Sequence, residues 1–176
     1  MPQTSSSTRR VIPAEFFGAD EIASNKVAIV PGAQLWLFAL LQSAMFTNWV
    51  HAVGGRLKSD INVTADLAYN AFPFPELTKD AKERLLPAAV AVRRARAAHA
   101  GASLADLYDR LSTPLDLTRA HDALDRVVDA LYGLRAGATD ADRTARLFER
   151  YSDLTSEGSL PRGIAGTNSR PRHAGS

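Results

Sequence analysis

The chain has 176 residues, of which 45% are hydrophobic and 23% charged, with no cysteine and a formal net charge of +2. These values are typical of a globular protein with a buried core, and they exclude disulfide bonds and thiolate metal sites. The start of the chain lacks a signal-peptide pattern, and the most apolar run, Leu35–Leu41, is too short to cross a bilayer. We therefore expect a cytoplasmic protein without a membrane partner.

The N-terminal region mixes polar and β-type segments. Residues 1–10 are rich in serine and threonine and predict a flexible N-terminal arm. Val11–Pro13 and Lys26–Pro31 each end in proline and predict short strands.

One buried helix is predicted for residues 34–53, because apolar residues recur there every four positions and two glycines follow. Its aromatic side chains are assigned to packing rather than to base stacking; they are Trp36, Phe38, Phe46 and Trp49. Residues 56–69 predict an irregular loop or a short strand, and the prolines of residues 70–76 close this first domain, 11–76.

Beyond Leu77 the chain is charged and alanine-rich, which predicts a C-terminal helical domain over residues 77–154. Thr78 is the expected N-cap of a first helix, Lys79–Ala100, which Pro87 should kink or split. The class predicted is therefore α+β and mostly helical: a partial mixed strand/helix domain followed by a small helical bundle.

Later helices are indicated by their own start signals. Ser103–Asp106 resembles a capping box, and residues 117–131 carry one apolar face. Thr139–Asp142 caps the last helix, whose inner face is predicted to contain Ala145, Phe148 and Tyr151, with Leu147 and Leu154 adjoining it. Residues 155–176 hold few apolar side chains and predict a disordered tail.

Several short motifs occur together in a characteristic order. In the first domain they are Arg9–Pro13, Ala23–Asn25, Val30–Pro31, Trp49–Val53, Gly55–Asp60 and Tyr69–Pro75; in the second they are Ser103–Asp109, Ala120–Asp125 and Arg146–Tyr151. In this order they resemble the C-terminus of the MmeI-like type IIL enzymes. Those single chains fuse an endonuclease, an adenine-N6 methyltransferase and a target-recognition domain, and the resemblance covers roughly residues 9–153 of this chain.

The resemblance implies base-reading residues just after the glycine pair. Charged side chains in this stretch of the family read a base pair, which assigns that role to Lys58 and Asp60. Lys58 has the chemistry to donate to guanine O6 and N7, while Asp60 accepts from the N4 amine of the paired cytosine. The bland alternative is an exposed ion pair in a solvated loop. Weaker DNA-binding candidates are Arg56, Ser59, Asn62, Arg9 and Arg10.

Other charged residues have two interpretations each. Arg9 and Arg10 have the charge to contact phosphates, but they also suit a solvated terminal arm. The arginine run Arg93, Arg94 and Arg96 is interpreted as a solvent-exposed (wet) helix face in preference to a phosphate contact. His121, four residues before Asp125, is favoured as a polar contact between helices over a metal ligand, because a metal site needs more converging ligands.

The leading hypothesis is a DNA-sequence recognition module of a bifunctional type II restriction enzyme and N6-adenine DNA methyltransferase, with double-stranded DNA as its partner. The sequence contains no glycine-rich cofactor motif, no Asn/Asp-Pro-Pro-aromatic tetrad and no nuclease cluster. We therefore expect no catalytic, metal or cofactor site in this chain, which would then be a truncated product or a fragment. S-adenosylmethionine and Mg²⁺ are implied for the full-length family alone.

Two alternatives remain open. In the first, the chain is a helical interaction module that completes a split enzyme with an upstream methyltransferase chain; in the second, it is an inactive gene remnant.

Overall fold

A computed structural model describes residues 1–18, 20–57 and 60–156 of the chain. Most of this part is helical, and the predicted α+β class is confirmed. The helices are α1 (Leu35–Leu41), α2 (Ala44–Val53), α3 (Lys79–Ala97), α4 (Leu104–Leu107), α5 (Leu115–Leu131) and α6 (Asp140–Ser156). The strands are β1 (Thr4–Ser6), β2 (Arg56–Leu57) and β3 (Asp60–Asn62), and a π-helical turn spans Ala65–Asn70.

The strands form one antiparallel sheet in the order β1-β3-β2, in which Ser5 lies opposite Ile61. The prediction of a flexible arm over residues 1–10 is therefore wrong for its centre, because β1 pairs along its length with β3. In addition, the α-amino group of Met1 donates to the carbonyl oxygen of Ala28 at 3.0 Å. The partners of this segment lie far along the chain, so its own composition could not reveal them.

The strands predicted at residues 11–13 and 26–31 are also wrong. Val11 and Ile12 are buried, but the carbonyl oxygen of Ile12 accepts from the side-chain amide of Gln42 at 2.9 Å instead of from a strand. Val27 makes an isolated bridge to Pro2. Val11 and Ile12 fill the core without joining a sheet.

The single helix predicted over residues 34–53 is divided into α1 and α2. Ser43 adopts an extended backbone and its hydroxyl accepts from the N–H of Phe46, so it caps a new helix. A serine at this position satisfies one of the free N–H groups at a helix start. The aromatic packing is confirmed for Phe38, Phe46 and Trp49, which are buried.

Helices α3, α4 and α6 begin at the predicted residues. Thr78 caps α3, Ser103 and Asp106 form a reciprocal capping box, and Thr139 and Asp142 exchange the same hydrogen bonds at α6. Pro87 does not split α3, which is continuous from Lys79 to Ala97. Packing of its apolar face against α1 and α5 stabilises the helix despite the missing N–H.

The inner face of α6 differs from the prediction. Leu147 is buried, whereas Ala145 is exposed and Phe148 is 46% exposed. Tyr151 does pack against the core, with its ring 5.4 Å from that of Trp49. The prediction is therefore confirmed for Leu147 and Tyr151 and wrong for Ala145 and Phe148.

One hydrophobic core joins the two predicted domains. Helix α3 packs against α1, and α6 packs against α2, so each early helix is covered by a later one. Phe72 contacts Phe46 on one side and Tyr132 on the other, with ring centroids 5.2 and 6.4 Å apart. No helix in the described part is long and apolar enough to span a membrane. The predicted disordered tail lies outside the described residues from 157 onward, and residues 155 and 156 still belong to α6.

Candidate nucleic-acid interface

A short hairpin follows directly from the end of the buried helix α2. Gly54 ends the helix, and β2 and β3 then pair in the register Arg56↔Ile61 and Leu57↔Asp60. A Cβ atom on Gly54 would lie 2.4 Å from the carbonyl oxygen of Val50 and 2.8 Å from Cγ2 of Ile61. Gly54 is thus required by close packing of the hairpin on the helix, while Gly55 has open space around it.

Strand β3 alternates between the core and the surface. Ile61 is buried, Asp60 is exposed and Asn62 is partly buried. Strand β3 lies between β1 and β2, so it is the central strand of the sheet and β2 is an edge strand. The arrangement presents Asp60 from a fixed backbone.

The predicted base-reading pair is only partly visible. Lys58 and Ser59 lie outside the described residues, and so does the side chain of Arg56, whose backbone belongs to β2. The pairing of Leu57 with Asp60 leaves two residues to connect the strands. The base-reading role of these residues stays a prediction.

The structure separates the two arginines of the N-terminal segment. Arg10 donates to Asp122 at 2.5 Å and to Asp125 at 3.1 Å, both on α5. The side chain of Arg9 has no hydrogen bond or ion pair to any other described residue. Arg10 therefore ties the first domain to the second, whereas Arg9 has no charged partner in the part of the chain that the structure describes.

A buried arginine on α3, Arg96, also joins the two domains. Arg96, 6% exposed, donates through Nε and Nη2 to the hydroxyl of Tyr108, at 2.8 and 2.6 Å. It also donates to the carbonyl oxygen of Ala14 at 2.6 Å, to Glu15 at 3.2 Å and to the side-chain oxygen of Gln42. The prediction of a wet helix face is therefore wrong for Arg96, because its acceptors come from distant parts of the chain.

His121 lies next to this arginine and is buried. The hydroxyl of Tyr108 already accepts from Arg96, so we assign it as the donor of the 2.7 Å hydrogen bond to Nε2 of His121. Burial, aided by the charges of Arg96 and Arg10, lowers the pKa of His121 to about 3, although an interaction with the backbone of Gln42 opposes the shift. His121 thus makes the polar contact favoured from the sequence, and the described residues hold no cluster of three potential metal ligands.

Sequence reasoning missed a contact that orients α2. Asp125 is buried, and its Oδ1 atom accepts from the backbone N–H of Ala44, the first residue of α2, at 2.7 Å. Burial raises the pKa of Asp125 above its usual value, although the hydrogen bond from Ala44 and the charge of Arg10 partly oppose this shift. An acidic residue on a helix face is usually solvated, so only its position against α2 revealed this role.

Comparison with known proteins defines the class of this fold. The family model of the MmeI target recognition domain matches residues 1–76, and that of the MmeI C-terminal domain matches residues 77–158. The chain is therefore a target recognition region joined to a helical C-terminal domain.

Two known proteins resemble it along most of its length. DNA methyltransferase A of Bacillus subtilis (strain 168) is 36% identical over 155 residues, which are 88% of this chain and 18% of that protein. The structure of the type IIL restriction-modification enzyme MmeI in complex with DNA superposes with a TM-score of 0.84 at 39% identity, over 88% of this chain and 21% of the MmeI chain. The chain belongs to the MmeI-like type IIL family and spans about a fifth of the length of these relatives.

Proposed function

We propose that this chain is the DNA-sequence recognition module of an MmeI-like restriction-modification enzyme, and that the β2–β3 hairpin enters the major groove. The observation that carries the proposal is the hairpin itself, which Gly54 and Ile61 seat against the end of α2. Base reading requires side chains on a backbone that does not shift when DNA binds. A two-stranded ribbon is narrow enough to enter the roughly 12 Å major groove.

The chemistry of the hairpin favours a G·C pair at one position. Asp60 is exposed and bears carboxylate acceptors, which suit the N4 amine of cytosine. Lys58 carries the donors that suit O6 and N7 of guanine. Arg56, Ser59 and Asn62 are then neighbours with the reach for further polar contacts. Catalysis and its cofactors would belong to other parts of the enzyme.

A chimera tests this function directly. The matched part of the B. subtilis methyltransferase is replaced by this chain, and methylated sites are mapped by sequencing treated DNA. The exchange K58D/D60K should change the preferred base pair at one position and leave the other positions unaltered. The matched control exchanges Lys79 and Glu83, an exposed ion pair on α3, and should leave the recognised sequence unchanged.

The two possible failures of this experiment differ. A chimera that methylates DNA with the site of the B. subtilis parent would overturn the recognition role of the whole chain. A chimera with a new site that the K58D/D60K exchange does not alter would overturn the role of the hairpin pair alone.

An apolar cleft favours a second function, an interaction module that completes a split methyltransferase. A cleft of about 310 Å³ lies beside Met1, with Phe17 49% and Ile29 62% exposed. Apolar surface of this kind is typical of contact with another protein. The occupant proposed is a methyltransferase chain equivalent to the part of the relatives outside the match.

Co-expression with the remaining part of the B. subtilis protein tests this alternative. Restored methylation that a Phe17→Asp, Ile29→Asp variant abolishes would support it. Two chains that elute separately and show no activity together would contradict it.

A further inference from the structure

A polar cavity of about 210 Å³ lies beside α2, on the surface between the N-terminal segment and α6. Arg9 contributes to its wall, and α2 contributes Thr47, Asn48 and His51. We infer that this cavity binds one phosphate group of the DNA backbone, with Arg9 as the main donor. The inference rests on the proposed function, which it extends from the base-reading hairpin to a second contact on the same helix.

The charges around the cavity distinguish Arg9 from its neighbours. Arg10 is paired with Asp122 and Asp125, and Arg143 donates to Asp129 at 2.8 Å and to Asp140 at 3.0 Å. These guanidinium groups are therefore neutralised within the protein. The guanidinium of Arg9 has no such partner among the described residues, so its donors remain available to an anion.

The separation of the cavity from the hairpin fits the dimensions of DNA. Asn48 precedes Val53, the last residue of α2, by five residues, which is roughly 7.5 Å at a rise of about 1.5 Å per residue, and the hairpin begins beyond that point at Arg56. The major groove is about 12 Å wide and 8.5 Å deep, which puts its flanking phosphates roughly 10 Å from the centre of its floor. One rigid helix can thus hold the hairpin at the base edges and the cavity at the backbone.

Two carboxylates also line the cavity: the buried Asp125, which is paired with Arg10, and Asp140 at its rim. Asp140 is 76% exposed in its side chain and accepts from the amide of Asn48 at 3.0 Å. A carboxylate here repels an incoming phosphate. Loss of this charge and loss of Arg9 should therefore change DNA affinity in opposite directions.

Salt dependence provides the test, because each neutralised phosphate adds about 0.9 to the slope of log K against log salt on duplex DNA. The full chain is titrated by fluorescence anisotropy into a labelled duplex over a low-salt series. Arg9→Ala should reduce the slope by about one and weaken binding alike on specific and random duplexes. Arg94→Ala is the matched control, because it removes an exposed arginine of α3 that does not line the cavity. Its slope should stay close to that of the wild type.

Asp140→Asn supplies the second arm and should strengthen binding several-fold. DNA binding by the wild type with equal slopes for Arg9→Ala and Arg94→Ala would overturn the phosphate site and leave the recognition function standing. Weaker binding by Asp140→Asn would overturn it as well. A wild-type chain that binds no duplex at low salt would overturn the proposed function together with this site.

Discussion

Asp125 on α5 accepts a hydrogen bond from the backbone N–H of Ala44, the first residue of α2, at 2.7 Å, although 81 residues separate them. The C-terminal domain thus caps the helix that carries the candidate recognition hairpin. A carboxylate at a helix N-terminus satisfies a free N–H and interacts favourably with the helix dipole. The orientation of α2 therefore depends on a residue of the other domain.

Replacement of Asp125 by alanine should lower the free energy of unfolding by roughly 2–4 kcal/mol. The buried N–H of Ala44 then has no acceptor, and Arg10 loses one of its two carboxylate partners. Urea denaturation measures the loss. Asp122→Ala is the matched control: it removes the other partner of Arg10, which is 43% exposed, and should cost less than about 1 kcal/mol. Equal losses in the two variants would contradict the capping role.

Arg96→Lys should destabilise the protein by roughly 2–4 kcal/mol. A single ammonium group cannot serve Tyr108, Ala14 and Gln42 together, which lie around the planar guanidinium. Arg94→Lys, at an exposed position of the same helix, should change stability by less than about 0.5 kcal/mol. Thermal and urea unfolding of both variants check the difference. An Arg96→Lys variant as stable as the wild type would show that the buried hydrogen bonds are replaceable.

Stability should fall as the pH decreases from about 6.5 to about 3. Burial lowers the pKa of His121 from 6.5 to about 3, so in this window the unfolded chain binds a proton that the folded chain does not. Because the unfolded state binds more protons in this window, stability rises with pH there. Above about pH 6.5 neither state binds this proton, so His121 no longer makes stability depend on pH.

His121→Gln should therefore flatten the pH dependence of the unfolding free energy between pH 4 and 6 by roughly 1 kcal/mol per pH unit. Urea titrations of both proteins at several pH values give the slopes. Parallel slopes for the variant and the wild type would contradict the proton linkage.

Gly54→Ala should cost roughly 1–3 kcal/mol, because the new methyl group overlaps the carbonyl oxygen of Val50 and the side chain of Ile61. The hairpin must move to relieve the overlap, so DNA binding should weaken as well. Gly55→Ala meets no atom within 4 Å and should leave both properties nearly unchanged. Denaturation and DNA titration of the pair check this, and equal behaviour of the two variants would show that the hairpin does not depend on the close approach.

Local features of the fold follow from the sequence alone. The capping box of Ser103 and Asp106 and the caps at Thr78 and Thr139 were predicted because each depends on residues at most three positions away. The apolar face of α5 follows from the helical period in the same way. The family motifs, and with them Lys58 and Asp60 as candidate residues, were also visible in the sequence, whereas the pairing of β2 with β3 was not, since residues 56–69 predicted only an irregular loop or a short strand.

Tertiary structure alone decided which polar residues are buried and which segment completes the sheet. Arg96 has the same chemistry as exposed Arg94, and it is buried because acceptors from Ala14, Gln42 and Tyr108 converge on it. Strand β1 exists because β3 supplies its hydrogen bonds. The interactions that bury a charge or pair a strand are made across the folded chain, whereas caps and helical faces are made within one turn.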